Sequence, residues 1–437
     1  MNVTITPGLL EGTVTPPPSK SMAHRLLLCA ALAPGESTLS HIAFSEDIKA
    51  TLRCVEALGA SWEQKEPETI RLRGAVGGHT APDGALPHFD CGESGSTLRF
   101  LIPIALALRG GGVFTGRGRL MERPLGPYFD LFREKNIFYE QKDGVLTVRG
   151  ALRPGKYALP GNVSSQFFTG LLYALPLLGG DSELLSTTPI ESAGYLHMTR
   201  QAMGRFGVDT GWSRQTFRIP GNQTYRPADC AVEADWSQAA FWYAAQGIGN
   251  QVEVVGMDEN SLQGDKVILD WGGMLRNEPL SGGVSVPVLG QDRADGKKLS
   301  VPGRSGRYAV GIDVSHSPDL VPPAAVWGAL TPGCDLYLKN AGRLRIKESD
   351  RLDSVTKVLN AMGAEVREEA DSLFIRGRAA LRGGVTVDSC NDHRIAMMAA
   401  VAATKCERPV TVAAAECVAK SYPNFWEEFQ RLGGKLT

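Results

Sequence analysis

SKSMAHRLLLCAALAPG (residues 19–35) opens on a hydroxyl residue, carries cations in its first two turns, continues through small and apolar residues, and stops at Pro-Gly. Three prolines before it, Pro16 to Pro18, set an extended entry, and Ser19 or Ser21 is placed to cap a helix. The same form recurs five times. SGSTLRFLIPIALALRGG begins at Ser94, SSQFFTGLLYALPLLGG at Ser164, DWSQAAFWYAAQGIGN at Asp235, PDLVPPAAVWGALTPG around Asp319, and DHRIAMMAAVAATKC at Asp392. Each start is Ser or Asp, both good N-caps, and a following Gly is a good stop. The starts lie roughly 70 to 85 residues apart, the signature of an internal repeat. Helix starts that converge would bring free N–H groups and positive dipole ends together, which is an anion site.

A second class of helix alternates with the first, at 45–60, 123–136, 192–207, 263–276, 347–364 and 421–434. These are amphipathic; Leu52, Val55 and Leu58 form one apolar stripe, and Val355, Val358, Leu359 and Met362 another. Strand-like pieces fill the gaps: STLSHI after the first helix, then turn-separated pairs such as ASWEQK with TIRLRG, or AEVREE with SLFIRG. The unit is therefore helix, strand, helix, hairpin, strand. Six units make an α/β chain of two similar domains, three units each, with the apolar helices inside and the amphipathic ones outside. Doubly wound domains are disfavoured by the regular hairpins and by the lack of GxGxxG after a strand. The Gly-rich stretch 281–306 reads as a surface loop in the fourth unit.

At 437 residues the chain suits two domains of about 200 residues. Its 46 basic and 47 acidic residues argue against a nucleic-acid protein relying on bulk positive charge, so any anion site is a local cluster. No apolar run approaches the 18 or more residues of a membrane span, and MNVTITPGLLEG lacks the regions of a signal peptide, so a cytoplasmic location is expected. The eight cysteines have no CxxC spacing and read as reduced, buried thiols.

Seven motifs carry chemistry. In PPPSKSMAHR, Lys20 sits at the positive end of a helix and Arg25 one turn further on. In CGESGSTLR, Gly92 and Gly95 allow backbone to approach a ligand, but the Lys of a P-loop is missing. MERP places Arg123 just ahead of a Pro-started helix, and NVSSQFF brings two hydroxyls and an amide to a helix start. RLRIKESDRL crowds Lys347, Glu348 and Arg351 together. In NDHRIAMM, His393 and Arg394 open an otherwise apolar helix, and cations at a buried N-terminus demand a compensating anion. AKSYP sets Lys420 ahead of another helix start. Each has a plainer reading as well: a cap, or a salt-bridged solvent face.

PSKSMAHR, GESGSTLR, MERP, VSSQF, SPD, RIKESDR, NDHRIAM and AKSYP, in this order across essentially the whole chain, resemble the 5-enolpyruvylshikimate-3-phosphate synthase (3-phosphoshikimate 1-carboxyvinyltransferase) family. The resemblance implies an inside-out barrel fold of two domains, each of three βαβαββ units, with an interdomain cleft. One domain would span 20–232, mainly on the shikimate 3-phosphate side. The other would combine 1–19 with 233–437, on the side of phosphoenolpyruvate and the catalytic carboxylates. The implied reaction moves the enolpyruvyl group of phosphoenolpyruvate to the 5-hydroxyl of shikimate 3-phosphate, with no metal or organic cofactor, no nucleic-acid or membrane partner, and a monomeric enzyme.

Carried over by motif, Lys20, Gly95, Arg123, Gln166, Arg351, Arg394 and Lys420 match phosphoenolpyruvate positions. Lys20, Ser21, Arg25, Ser164, Ser165, Gln166, Ser192, Asp319 and Lys347 match shikimate 3-phosphate positions. Asp319 and Glu348 match the acid/base carboxylates, Asp319 as base at the hydroxyl and Glu348 as proton donor at the methylene, with Lys20, beside the reacting centre, as an alternative donor. Asp47, Tyr195, Asp235 and His393 match further cleft positions. Glu93 and Arg343 stand where many members carry Asn. Gly95 implies a cavity able to admit glyphosate, a competitor of phosphoenolpyruvate. The sister transferase acting on UDP-N-acetylglucosamine matches poorly at SKSMAHR and VSSQF and usually carries a reactive loop Cys, absent around Arg117–Arg123. A non-catalytic phosphosugar binder would not need Asp319 and Glu348, and a nucleic-acid end-processing protein would call for more positive charge or exposed aromatics.

Overall fold

The computed structural model describes residues 1–75, 85–276 and 307–437. The chain forms two compact units. An inserted unit comprises Pro18–Glu233 with Asn260–Gln263, and a terminal unit comprises Met1–Pro17, Ala234–Glu259 and Gly264–Thr437. Each has its own hydrophobic core.

In the inserted unit the helices are α1 (Lys20–Leu32), α2 (Glu46–Ala57), α3 (Gly95–Arg109), α4 (Gly126–Lys135), α5 (Ser165–Ala174) and α6 (Ala193–Arg205). In the terminal unit they are α7 (Trp236–Gly247), α8 (Ile268–Leu275), α9 (Val321–Ala329), α10 (Arg351–Met362), α11 (His393–Ala403) and α12 (Phe425–Arg431). The odd-numbered helices fill the cores: every residue of α9 and of α11 is buried. The even-numbered ones bury one face, as their spacing predicts.

Five four-stranded sheets share one topology: a central strand pairs parallel with one neighbour and antiparallel with another, which carries the fourth strand antiparallel. Thus Glu36–Ser40 runs parallel to Cys230–Ala231 and antiparallel to Thr69–Arg73, which pairs with Ser61–Glu66. Gly111–Thr115 and Ser182–Ser186 organise the other two sheets of the inserted unit. In each the parallel partner comes from the end of the preceding repeat: His88–Asp90 for the second, Lys156–Leu159 for the third. Cys230–Ala231, at the end of the third repeat, returns to the first and closes the set.

The terminal unit repeats the pattern around Cys334–Lys339 and Val410–Ala413. There the chain start supplies Val3–Thr6 to the last sheet and Glu11–Val14 as the parallel partner of Gln251–Val254. The Gly-rich stretch 281–306 of the fourth repeat lies outside the described residues.

Five of the six expected caps form. Ser19, Ser94, Ser164, Asp235 and Asp392 accept from backbone N–H groups of their own first turns. The sixth does not: Asp319 lies within a 3₁₀ turn, Pro318–Leu320, and α9 begins at Val321 without a side-chain cap. Two other boundaries also shift. Arg123 follows a 3₁₀ turn and α4 starts at Gly126, with Pro127 in its first turn, so the Pro-started helix opens later than MERP suggests. Lys420 closes the 3₁₀ segment Ala415–Lys420 rather than directly preceding a helix.

One contact sets the spacing of α3 and α5. Pro103 has no N–H, so the Arg99 carbonyl one turn back loses its helical partner. The Tyr128 hydroxyl fills that place, lying 2.8 Å from the Arg99 carbonyl and 3.0 Å from that of Phe167. Gly170 allows the approach: a Cβ there would stand 2.4 Å from the Tyr128 hydroxyl and 2.5 Å from the Arg99 carbonyl.

Candidate active site

In the inserted unit the assigned polar groups gather at the starts of α1, α3, α5 and α6. Lys20 pairs with Asp47 of α2 at 2.7 Å. Arg25 is buried, with no carboxylate paired to it among the described residues. Its Nη1 donates to the Ser21 carbonyl at 2.6 Å, Nη2 to the Tyr195 carbonyl at 3.0 Å and Nε to Thr199 at 3.0 Å, while the guanidinium lies over the Phe100 and Tyr195 rings. Burial disfavours its charge and lowers its pKa. A buried cation held by neutral carbonyls, a hydroxyl and ring faces is suited to an anion.

Gln166 joins two helix starts, accepting from Arg99 Nη1 at 2.7 Å and donating to Ser96 Oγ at 3.0 Å. Ser164 caps α5 and Ser165 is its buried first residue. Ser192 precedes α6 in the left-handed region, φ 56°, an unusual conformation for a residue with a Cβ. A Cβ at Gly95 would meet Arg123 Nη1 at 2.7 Å and Arg99 Nη1 at 3.0 Å, so the absent side chain is what lets both guanidinium groups approach the start of α3. Glu93 lies against Gly118, whose added Cβ would be 2.8 Å from Glu93 Oε2.

In the terminal unit the assigned charges form one cluster. Arg351, 1 % exposed at its side chain, donates from Nη1 to Asp319 Oδ1 at 2.7 Å, from Nη2 to Glu348 Oε2 at 2.6 Å and from Nε to Asp392 Oδ2 at 2.7 Å. Asp319 also holds Lys347 Nζ at 3.2 Å and Arg394 Nη2 at 3.4 Å. Lys420 donates to the Asn391 carbonyl at 2.7 Å, beside the cap of α11. Arg343 donates to the Ser315 carbonyl. Asp235 caps α7, and His393 lies 3.9 Å from Asp392.

Electrostatics follow from this packing. Burial opposes ionisation of Asp319, yet Arg394, Lys347 and Arg351 outweigh it and hold the carboxyl well below its ordinary range. Burial likewise opposes charge on Arg351, and Asp392, Glu348 and Asp319 overcome it. Arg394 meets Asp319 Oδ2 at 3.4 Å, a carboxylate it shares with Lys347 and Arg351, and its backbone N–H donates to Asp392 Oδ1 at 3.0 Å.

Two residues escaped the sequence reading. Arg99 lies within GSTLR but drew no role; the signal was a cation one turn into a helix whose start was already singled out. Asp265 gave no local signal. It is buried beside the first turn of α7, accepts from Ser237 Oγ, and is pushed up to about 6 by burial and by Asp319. Its turn is tied to that of Asp319 by the Ser317 hydroxyl, which donates to the Gly264 carbonyl at 3.2 Å. Among the described residues no group of three or more His, Cys, Asp or Glu is arranged to hold a metal ion, and no helix is long and apolar enough to cross a membrane.

Comparison with known proteins adds the following. The family described as EPSP synthase (3-phosphoshikimate 1-carboxyvinyltransferase) matches residues 5–429. Curated relatives named 3-phosphoshikimate 1-carboxyvinyltransferase include that of Clostridium kluyveri, 44 % identical over 99 % of this chain and 98 % of that protein. That of Clostridioides difficile is 41 % identical over 99 % of this chain and 97 % of its own length. A solved EPSP synthase from Acinetobacter baumannii superposes with a TM-score of 0.76 at 24 % identity, covering 100 % of this chain and 99 % of that one, which is a likeness of fold.

Proposed function

The chain belongs to the EPSP synthase (3-phosphoshikimate 1-carboxyvinyltransferase) family, and on that premise we propose how its two side-chain clusters divide the work of the reaction. The enzyme transfers the enolpyruvyl group of phosphoenolpyruvate to the 5-hydroxyl of shikimate 3-phosphate and releases phosphate, a step of aromatic biosynthesis. In our reading Ser21, Arg25, Ser164, Ser165, Gln166 and Ser192 hold shikimate 3-phosphate, together with Lys20, Asp319 and Lys347. Lys20, Gly95, Arg123, Gln166, Arg351, Arg394 and Lys420 hold phosphoenolpyruvate. Two substrates with two phosphates and two carboxylates need several cations, and Arg serves them through its bidentate fork.

Asp319 takes the proton of the 5-hydroxyl as that oxygen bonds to C2 of phosphoenolpyruvate, while Glu348 gives a proton to C3, which becomes a methyl group. In the second half the C2–O bond to phosphate breaks, the methyl returns a proton to Glu348, and the proton on Asp319 leaves with phosphate. Asp319 held low by three cations is a poor base. Incoming polyanions offset those cations and raise its carboxyl, which readies it as base, while Glu348, held by Arg351, faces the methylene carbon as acid.

The observation that carries this reading is that Asp319 leaves its helix uncapped and turns its carboxylate to Lys347, Arg351 and Arg394. The test is Asp319→Asn, assayed by phosphate release: turnover falls by about 10²- to 10⁴-fold, the range of general acid–base contributions, and retained turnover would remove Asp319 as base. The reading extends to a monomeric cytoplasmic enzyme.

A further inference from the structure

Four residues outside the assigned set form a buried hydrogen-bonded chain across three helices of the inserted unit. His24 Nδ1 of α1 lies 2.7 Å from Thr51 Oγ1 of α2, which lies 2.7 Å from Thr97 Oγ1 of α3. The Thr97 hydroxyl donates to Ser94 Oγ at 2.7 Å, and the Thr97 backbone N–H donates to the same oxygen at 3.2 Å. All four residues are buried, none more than 1 % exposed.

The proton positions follow from counting donors. Each hydroxyl has one hydrogen. That of Thr97 is committed to Ser94, so Thr51 must donate to Thr97. The alternative acceptor for Thr51, the Asp47 carbonyl, is far longer at 3.4 Å. Thr51 Oγ1 then has only lone pairs for His24, and His24 must donate from Nδ1. Burial, with Lys20 and Arg25 nearby, lowers the imidazole pKa well below its ordinary value, so the ring is neutral. Its hydrogen is therefore on Nδ1, and Nε2 is a bare acceptor with no hydrogen-bond partner among the described residues.

The chain runs between two starts that matter. His24 lies one turn after Lys20, and Thr51 lies one turn after Asp47, the partner of Lys20. Ser94 caps α3, whose first two residues are Gly95, against Arg123 and Arg99, and Ser96, bonded to Gln166. We propose that His24 is a positioning residue for phosphoenolpyruvate recognition: its Nδ1–H directs the hydrogen bonds through Thr51 and Thr97 to Ser94 and so fixes the first turn of α3 against the first turn of α1. The proposal rests on the reading of Lys20, Gly95 and Arg123 as phosphoenolpyruvate ligands. A buried imidazole kept for packing alone would need neither a fixed tautomer nor hydroxyls at both positions 51 and 97.

Two measurements on the full chain test it. Nitrogen-15 NMR of histidine-labelled protein, with His24 assigned by its loss in a variant, reports the tautomer without reference to substrate. The Nδ1–H form is expected; an Nε2–H or doubly protonated ring at neutral pH overturns the proposal. Kinetically, His24→Leu raises the KM for phosphoenolpyruvate by up to about tenfold, the scale of one hydrogen bond, with a smaller change in KM for shikimate 3-phosphate. His24→Asn, whose amide N–H can donate in place of Nδ1–H, restores it. Should His24→Leu fail to fold, Thr51→Val breaks the same chain at its middle. An unchanged KM in the variants that fold, while Gly95→Ala raises it, overturns the proposal and leaves the ligand assignment standing. An unchanged KM in Gly95→Ala as well faults the ligand assignment, and the tautomer then decides.

Discussion

Arg351 Nη1 donates to Asp319 Oδ1 at 2.7 Å, joining the first residue of α10 to the 3₁₀ turn ahead of α9. The same guanidinium holds Glu348 and Asp392, so one buried cation fixes both proposed acid/base carboxylates and the cap of α11. The geometry makes Arg351 an organiser of carboxylates, alongside its proposed role as a ligand for phosphoenolpyruvate.

Arg351→Met would remove the one guanidinium that Asp319, Glu348 and Asp392 share. Loss of one member of a buried ion-pair network costs about 3–5 kcal/mol, so chemical denaturation should show the terminal unit weakened by that order. Arg351→Lys keeps the charge but not the fork, and one ammonium cannot reproduce three directed bonds. It is expected to recover only part of the stability and little of the turnover. Wild-type stability in Arg351→Met would mean that the network contributes nothing net.

Gly95→Ala places a methyl group within van der Waals overlap of the Arg123 and Arg99 guanidinium groups. Both are far ends of flexible side chains, so they can move at little cost to folding. The melting temperature should stay within a few degrees while the KM for phosphoenolpyruvate rises about tenfold or more, the scale of a hydrogen bond to a charged group. The glyphosate inhibition constant, measured in competition with phosphoenolpyruvate, should rise alongside it. A large loss of stability with unaltered KM would assign Gly95 to packing.

Asp265, raised to about 6, binds its proton more tightly folded than unfolded. Its contribution to stability is complete below about pH 4 and is lost as pH climbs through about 6, at a cost on the order of 2–3 kcal/mol at neutral pH. Asp265→Asn is neutral throughout and its carbonyl can still accept from Ser237. Thermal melts across pH should show the variant gaining over wild type between pH 6 and 8, with the gain vanishing near pH 4. A gain that is independent of pH would place the effect elsewhere.

How much of this was legible in the chain depends on how local the physics is. Ser19, Ser94, Ser164, Asp235 and Asp392 cap their helices through their own first turns, so short windows reveal them. Asp319 presents the same local pattern, an Asp before an apolar run, but Lys347 just ahead of α10, Arg351 of α10 and Arg394 of α11 compete for its carboxylate and win. The contact of Arg394 with a carboxylate is equally non-local, because Asp319 stands 75 residues away. Tyr128 filling the gap left by Pro103, and Asp265 raised by burial, depend on tertiary packing that no spacing encodes. The proposed site residues rest on the family's motifs, which lie in short, ordered blocks of the sequence.

The enzyme adds enolpyruvyl to one particular acceptor, shikimate 3-phosphate. The most direct measurement is phosphate release from phosphoenolpyruvate, followed with shikimate 3-phosphate and, in a parallel reaction, with UDP-N-acetylglucosamine. Release with shikimate 3-phosphate only, abolished or reduced by at least about a hundredfold in Asp319→Asn, is the predicted result. Release with the nucleotide sugar, or none with either acceptor, would contradict it.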